Sequence, residues 1–175
     1  LGDVYKRQRP EAAFFMSLLL LGWAVGAPFS GWLSDHIGRR KPILVMGLVV
    51  ICIMLAFFTG ISDLPLGPVV ACLVVIGLSG GGMTACFGLV KDVMPAPLAG
   101  ASTGVVNSMT VASGAILQPF VGLALDLQWD GRLVDGARHY AEGDYRTAFT
   151  LVLVAAVIGL VTALSLRETP RGHAP

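Results

Sequence analysis

Apolar, uncharged positions run without alternation through residues 12–33, 43–60, 66–90, 99–125 and 147–166, and the charged residues collect in the segments between them. Each run can cross about 30 Å of hydrocarbon as an α-helix rising about 1.5 Å per residue. A membrane barrel would instead need segments of about ten residues that alternate apolar and polar, which these runs do not show. The pattern predicts an all-α, polytopic membrane protein with five transmembrane helices.

Composition agrees: 55% of residues are hydrophobic, 13% are charged and mean hydropathy is +0.76, leaving too little polar sequence to coat a water-facing surface. The net charge of +1 and the scattering of basic residues over separate turns exclude a nucleic-acid-binding surface. Cys52, Cys72 and Cys86 all fall inside apolar runs and are expected to pack as small residues, not to form a disulfide or a metal site. His139 has no further ligand at recognisable spacing, so no metal or other cofactor is expected. Asp, Glu, Lys, Arg and His are missing from all five cores, which leaves no catalytic constellation and no intramembrane proton carrier in these runs.

Loop charges give an orientation. Arg39, Arg40, Lys41, Lys91, Arg167 and Arg171 lie on one side; Arg132, Arg138 and Arg146 lie on the other, offset by Asp126, Asp130, Asp135, Glu142 and Asp144. The positive-inside rule makes the first side cytoplasmic, together with the C-terminal tail, residues 170–175. The rule then disfavours Lys6, Arg7 and Arg9 outside. The opening Leu1-Gly2-Asp3-Val4-Tyr5-Lys6-Arg7-Gln8 also resembles translated sequencing-adapter read-through, and the sequence does not start with Met. Residues 1–10 are therefore read as a non-native leader, with the native chain expected to continue upstream.

Between the first two runs lies a charged turn, Gly31-Trp32-Leu33-Ser34-Asp35-His36-Ile37-Gly38-Arg39-Arg40-Lys41. Gly31 is expected to let a helix end approach a neighbour, and Gly38 to reverse the chain at positive φ. Asp35 can pair with a basic side chain or cap a helix N-terminus, while Arg39, Arg40 and Lys41 can fork onto carboxylates or anionic lipid headgroups. Pro42 suits the first turn of the next helix. On charge alone the turn reads as a basic loop that sets topology.

Inside the fourth run, Thr103, Asn107, Thr110, Gly114 and Gln118 recur at spacings of four, three, four and four, which aligns them on one helical face. A buried amide in lipid needs a partner, so Asn107, Thr110 and Gln118 face either another helix or a water-filled substrate cavity. Gly100, Gly104, Ser108 and Ala112 form a neighbouring ridge of small residues on which another helix is expected to pack. Gly77, Gly80, Gly81 and Gly82 weaken the third run as a helix and favour a bend or close crossing, with the Thr84 hydroxyl available to a freed carbonyl. Pro28 is expected to kink the first run. Residues 126–146 read as a solvated connector.

The spacing of Gly31, Asp35, Gly38, Arg39 and Arg40 resembles the cytoplasmic signature loop of the major facilitator superfamily, with His36 where that family usually carries Arg or Lys. The stretch from Lys91 to Gly100, continued by Thr103, Gly104, Asn107, Gln118, Pro119, Gly122 and Asp126, is similar to the region of the tenth and eleventh helices of bacterial carriers, and Leu166-Arg167-Glu168-Thr169 to the exit of a twelfth. The resemblance implies helices eight to twelve of a twelve-helix carrier, residues 11–169, whose partner is the N-terminal half of the same carrier; helices two to six are the alternative. It further implies a bacterial inner-membrane location and alternating-access transport of a small polar or anionic organic solute such as an amino acid, dipeptide, carboxylate or sugar, with or without H+ or Na+. Gly31, Asp35, Gly38, Arg39 and Arg40 would then form a conformational lock. A membrane scaffold that binds partners without transport is the competing reading.

Overall fold

The computed structural model describes residues 2–62, 64–134 and 136–168, without the side chains of residues 2–12 and 137. The C-terminal tail assigned to residues 170–175 lies outside the described residues, as do Arg171 and Asp135 of the charge analysis. Helix α1 (Gly2–Ile37) continues through Pro28 and carries the charged turn as far as Ile37. Gly38 follows at φ +69°, and α2 (Lys41–Gly60) starts with Pro42 in its first turn. Helix α3 (Leu66–Gly80) passes through a tight 3-10 turn at Gly81–Met83 into α4 (Thr84–Val93). A second 3-10 turn, Ala96–Leu98, leads into α5 (Ala99–Gln128), and α6 (Glu142–Ser165) closes the described chain.

Five segments among the described residues are long and apolar enough to cross a membrane: Ala13–Ile37, Lys41–Gly60, Leu66–Val93, Ala96–Gln128 and Glu142–Ser165. Large apolar side chains such as Leu21, Val25, Met109, Val111 and Ile158 stand exposed, each by 61% or more, as expected of helices whose outer solvent is lipid. The third run is thus one span made of α3, the glycine turn and α4. Thr84 bonds back onto that turn, its hydroxyl donating to Gly81 O at 2.8 Å, a carbonyl its own backbone N–H also reaches, and standing 3.4 Å from Ala27 O on α1.

Glycine sets how closely the spans approach. Gly22 and Gly26 of α1 lie against Gly77, Leu78 and Gly81: a Cβ on Gly22 would come 2.8 Å from Val74 O, and one on Gly26 would strike the Leu78 carbonyl. Gly47 of α2 makes the equivalent approach to Ser79 O at 2.7 Å. Without a hydrophobic force between helices in lipid, such backbone proximity supplies dispersion contact that a larger side chain would prevent. Ile43 and Leu44 of α2, Ala85 of α4 and Ala163 of α6 form the buried cluster beside this contact.

Three expectations need correction. Gly31 makes no close approach, since a Cβ there would meet nothing within 4 Å; the role falls to Gly22 and Gly26, one or two turns deeper, where a facing helix offers glycines. Among the described residues no helix packs on the glycines of the α5 ridge: Gly100 and Gly104 are open to the same test, and α5 buries none of its residues. The connector read over residues 126–146 is much shorter, because α5 extends to Gln128 and α6 begins at Glu142. Between them β1 (Leu133–Val134) and β2 (Ala137–Arg138) pair antiparallel, Leu133 opposite Arg138.

Candidate functional site

The charged turn is the meeting point of four helix ends. Arg40, 13% exposed at its side chain, places Nη1 2.7 Å from Asp35 Oδ1 and 2.6 Å from Ser34 Oγ, and Nε 3.3 Å from Asp92 Oδ2 at the end of α4. One guanidinium therefore joins α1, α2 and α4, with geometry that suits its planar fork of donors. Space for it comes from Gly88, one turn before Asp92, where a Cβ would stand 2.6 Å from Arg40 Nε. Ser34 is 1% exposed and donates to Gly31 O at 2.9 Å, so its oxygen is oriented to accept from Arg40.

Glu168 supplies the other half of the junction. Its side chain is 6% exposed; Oε1 accepts from the backbone N–H of Arg40 and from that of Lys41 at 3.1 Å. These are among the first donors of α2, which no carbonyl of the helix itself can reach, and the carboxylate also meets the positive end of the helix dipole. Glu168 Oε2 has no hydrogen bond to a described residue and lies 3.7 Å from Arg39 Nε. In return Lys41 Nζ donates to Leu164 O and Leu166 O, both at 2.7 Å, satisfying carbonyls at the end of α6. Each of α2 and α6 thus caps the other.

Of the residues singled out in the turn, the structure brings Asp35 and Arg40 into contact, sends Arg39 to Glu168 and gives Gly38 the positive φ expected of it. Asp35 pairs with Arg40, and the capping role considered for it falls to Glu168. Asp92 and Glu168 were visible only as charges at the ends of their runs; their convergence on Arg40 needs the antiparallel helices. His36 stacks on Trp32 with ring centroids 5.6 Å apart.

Along α5, Thr103 and Thr110 spend their hydroxyl protons on Ala99 O and Val106 O one turn back, at 2.7 and 2.9 Å. Asn107 and Gln118 are exposed, and their side chains make no hydrogen bond to any described residue. The helix-to-helix bond considered for them is not formed among the described residues. Gly114 and Gln118 line an open groove of about 530 Å³ that Val152 of α6 closes on one side; Asn107 and Thr110 lie off it. No group of histidine, cysteine and carboxylate side chains among the described residues could hold a metal ion.

At the far end of α5, Asp126 accepts from the Tyr140 hydroxyl at 2.6 Å and lies 2.5 Å from Arg138 Nη1, while Arg138 also covers the Trp129 ring at 4.7 Å. The hydrogen bond to Asp126 pushes the Tyr140 phenol above its ordinary pKa and does the same for Arg138. The connector is therefore tied back onto α5.

Comparison with known proteins matches residues 3–175 to the family model described as Major Facilitator Superfamily. The chain is 32% identical over 103 residues to the probable metabolite transport protein CsbC of Bacillus subtilis, covering 58% of the chain and 22% of that protein. It is 31% identical over 159 residues to the glucose transporter GlcP of Staphylococcus epidermidis, and 25% identical over 158 residues to inositol transporter 4 of Arabidopsis thaliana. Each of these two alignments covers 89% of the chain, and they cover 31% and 24% of the relatives. The chain thus spans less than a third of the length of the relatives it matches. No solved structure matches it.

Proposed function

The chain belongs to the Major Facilitator Superfamily, a family of multi-pass membrane carriers and not of enzymes, and on that premise we propose that it forms helices eight to twelve of a secondary carrier for a small polyhydroxylated solute. The observation that carries this reading is the α5 face. Asn107 and Gln118 stand unbonded on a helix otherwise built for lipid, and an amide facing hydrocarbon without a partner costs several kcal/mol, on the order of 4 or more. A face of this kind is stable against water or a hydroxylated ligand, since each amide offers both donors and an acceptor. The names of the relatives, which include glucose and inositol transporters, favour sugars and polyols over the other polar solutes.

Transport would proceed by alternating access, two six-helix halves rocking about a site near the midplane. The charged junction would lie on the cytoplasmic side of a bacterial inner membrane, with Asp35, Arg39 and Arg40 as the lock that the other half engages and Gly31 and Gly38 shaping its backbone. Any H+ or Na+ coupling would use a carboxylate of the other half, because the cores of these five spans carry none.

The test is uptake of labelled glucose and inositol by a transport-deficient host expressing the protein at its natural length. Saturable uptake, with Asn107→Ala or Gln118→Ala lowering it about tenfold at unchanged expression, supports the reading; a lost charge-free hydrogen bond accounts for an effect of that size. Absence of flux for every polyol and sugar tried would overturn the polyol assignment and leave another polar solute or a non-transporting scaffold.

A further inference from the structure

Opposite the charged junction, the ends of three helices enclose an open groove of about 550 Å³, lined by Thr59 of α2, Ala124 of α5, and Arg146, Thr147 and Thr150 of α6. Thr59 stands one residue before the end of α2, Ala124 four before the end of α5, and Arg146 four into α6. At about 1.5 Å per residue the mouth of the groove lies within roughly 6 Å of all three helix ends, the depth at which a bilayer changes from hydrocarbon to headgroups, and Thr150 and Leu151 carry its lining about 12 Å into α6.

Its polar groups are divided by role. The threonine protons are already committed, Thr59 to Leu55 O at 2.9 Å, Thr147 to Gly143 O at 3.1 Å and Thr150 to Arg146 O at 2.9 Å, so the three oxygens retain only accepting capacity. Arg146 supplies the donors. Its side chain is 26% exposed, its Nε lies 3.5 Å from Glu142 Oε1, and its Nη2 is covered and has no hydrogen-bond partner among the described residues. A buried guanidinium nitrogen without an acceptor is costly and marks a place where an anion belongs.

A ligand that satisfies this set must present an anion to Arg146 and, a few ångströms away, N–H donors to the threonine oxygens. We propose that the groove binds a phosphoethanolamine group, held as the headgroup of a membrane lipid in the leaflet opposite the charged junction. The phosphate accepts from Arg146, and the ammonium, with three donors and no acceptor, fits the hydroxyl oxygens. Leu151, which also lines the groove, and exposed Val154 one turn deeper continue it into the hydrocarbon as a track for an acyl chain.

Native mass spectrometry of the protein at its natural length, titrated with phosphatidylethanolamine and phosphatidylglycerol, tests this. The wild type is expected to hold phosphatidylethanolamine more tightly than phosphatidylglycerol, which has no ammonium. Arg146→Gln is expected to weaken the former about tenfold, and Thr150→Val, which keeps the shape, about threefold. Thr150→Val also decides the matter if Arg146→Gln fails to fold. Equal retention of the two lipids, or undiminished phosphatidylethanolamine binding in folded variants, overturns the proposal. Competition by soluble glycerophosphoethanolamine as effective as the lipid itself supports the headgroup chemistry and assigns its source to a free solute.

Discussion

Helices α1 and α5 carry the same small-residue signal, Gly22 and Gly26 in one, Gly100 and Gly104 in the other, each pair four residues apart. The first pair lies in backbone contact with the third span, whereas a Cβ on either residue of the second would meet no described residue within 4 Å. The partner makes the difference. The third span offers its own glycines four apart, Gly77 in α3 and Gly81 in the turn after it, at the height of the α1 pair, so both backbones can close in; among the described residues no helix makes such an approach to Gly100 or Gly104 of α5. A small-residue ridge is thus permission to pack, and contact requires complementary permission opposite. The two regions also differ in their polar ties. The α1 end is joined to α2 and α4 through Arg40, while α5 is tied at its far end by Asp126 to an exposed connector.

The sharpest break of this contrast is a matched pair of substitutions. Gly26→Leu forces a side chain into the Leu78 carbonyl and is expected to destabilise the protein by 3 kcal/mol or more, roughly the upper end of overpacking, because backbone cannot yield as a side chain can. Gly104→Leu is expected to leave stability unchanged or raise it by up to about 1 kcal/mol, since leucine favours a helix over glycine. Thermal unfolding in detergent, followed by circular dichroism, reads both; similar losses in the two variants would mean that α5 has a packing partner at that ridge.

Next in size is Arg40→Ala, expected to cost about 2 kcal/mol in the same assay. It leaves Asp92 and Asp35 without their shared cation, and the partial exposure of both carboxylates moderates the loss from that of a fully buried pair. Asp35→Asn keeps most of that stability and instead slows exchange between inward- and outward-open states, measurable as a lower exchange rate at unchanged protein level. Unaltered kinetics would restrict the turn to setting topology.

The smallest effect lies at the α5 tie. Tyr140 has a folded pKa raised above its unfolded value of about 10, so the stabilisation from its bond to Asp126 is complete below that value and disappears as pH rises through the folded pKa. Difference titration of tyrosinate absorbance between wild type and Tyr140→Phe should place this phenol above the ordinary range, and Asp126→Asn should bring it back.

The spans were legible in the sequence because hydrocarbon thickness imposes a length and forbids charge, and the positive φ at Gly38 and the weakness of α3 near Gly81 followed from single residues. The partnership of Asp35 with Arg40 was within reach, five residues apart across one turn. What stayed hidden was every relation between distant segments. Neither Asp92 nor Glu168 announces itself as a partner of the turn, 52 and 128 residues away from Arg40. The hairpin at β1 and β2 was unreadable for a different reason: its two-residue strands carry too little periodicity.

The mutual caps of α2 and α6 impose an order in time. The Lys41 amide is made early and its acceptor, Glu168, 127 residues later. At a synthesis rate of about 5–20 residues per second, the start of α2 waits on the order of ten seconds before its closing carboxylate leaves the ribosome. Until then the nascent helix has open donors at the membrane surface, where water or a chaperone must serve them. A stop codon placed just after Ser165 would leave all five spans able to insert, yet the start of α2 would keep its Arg40 ties and lose the carboxylate that closes its first donors.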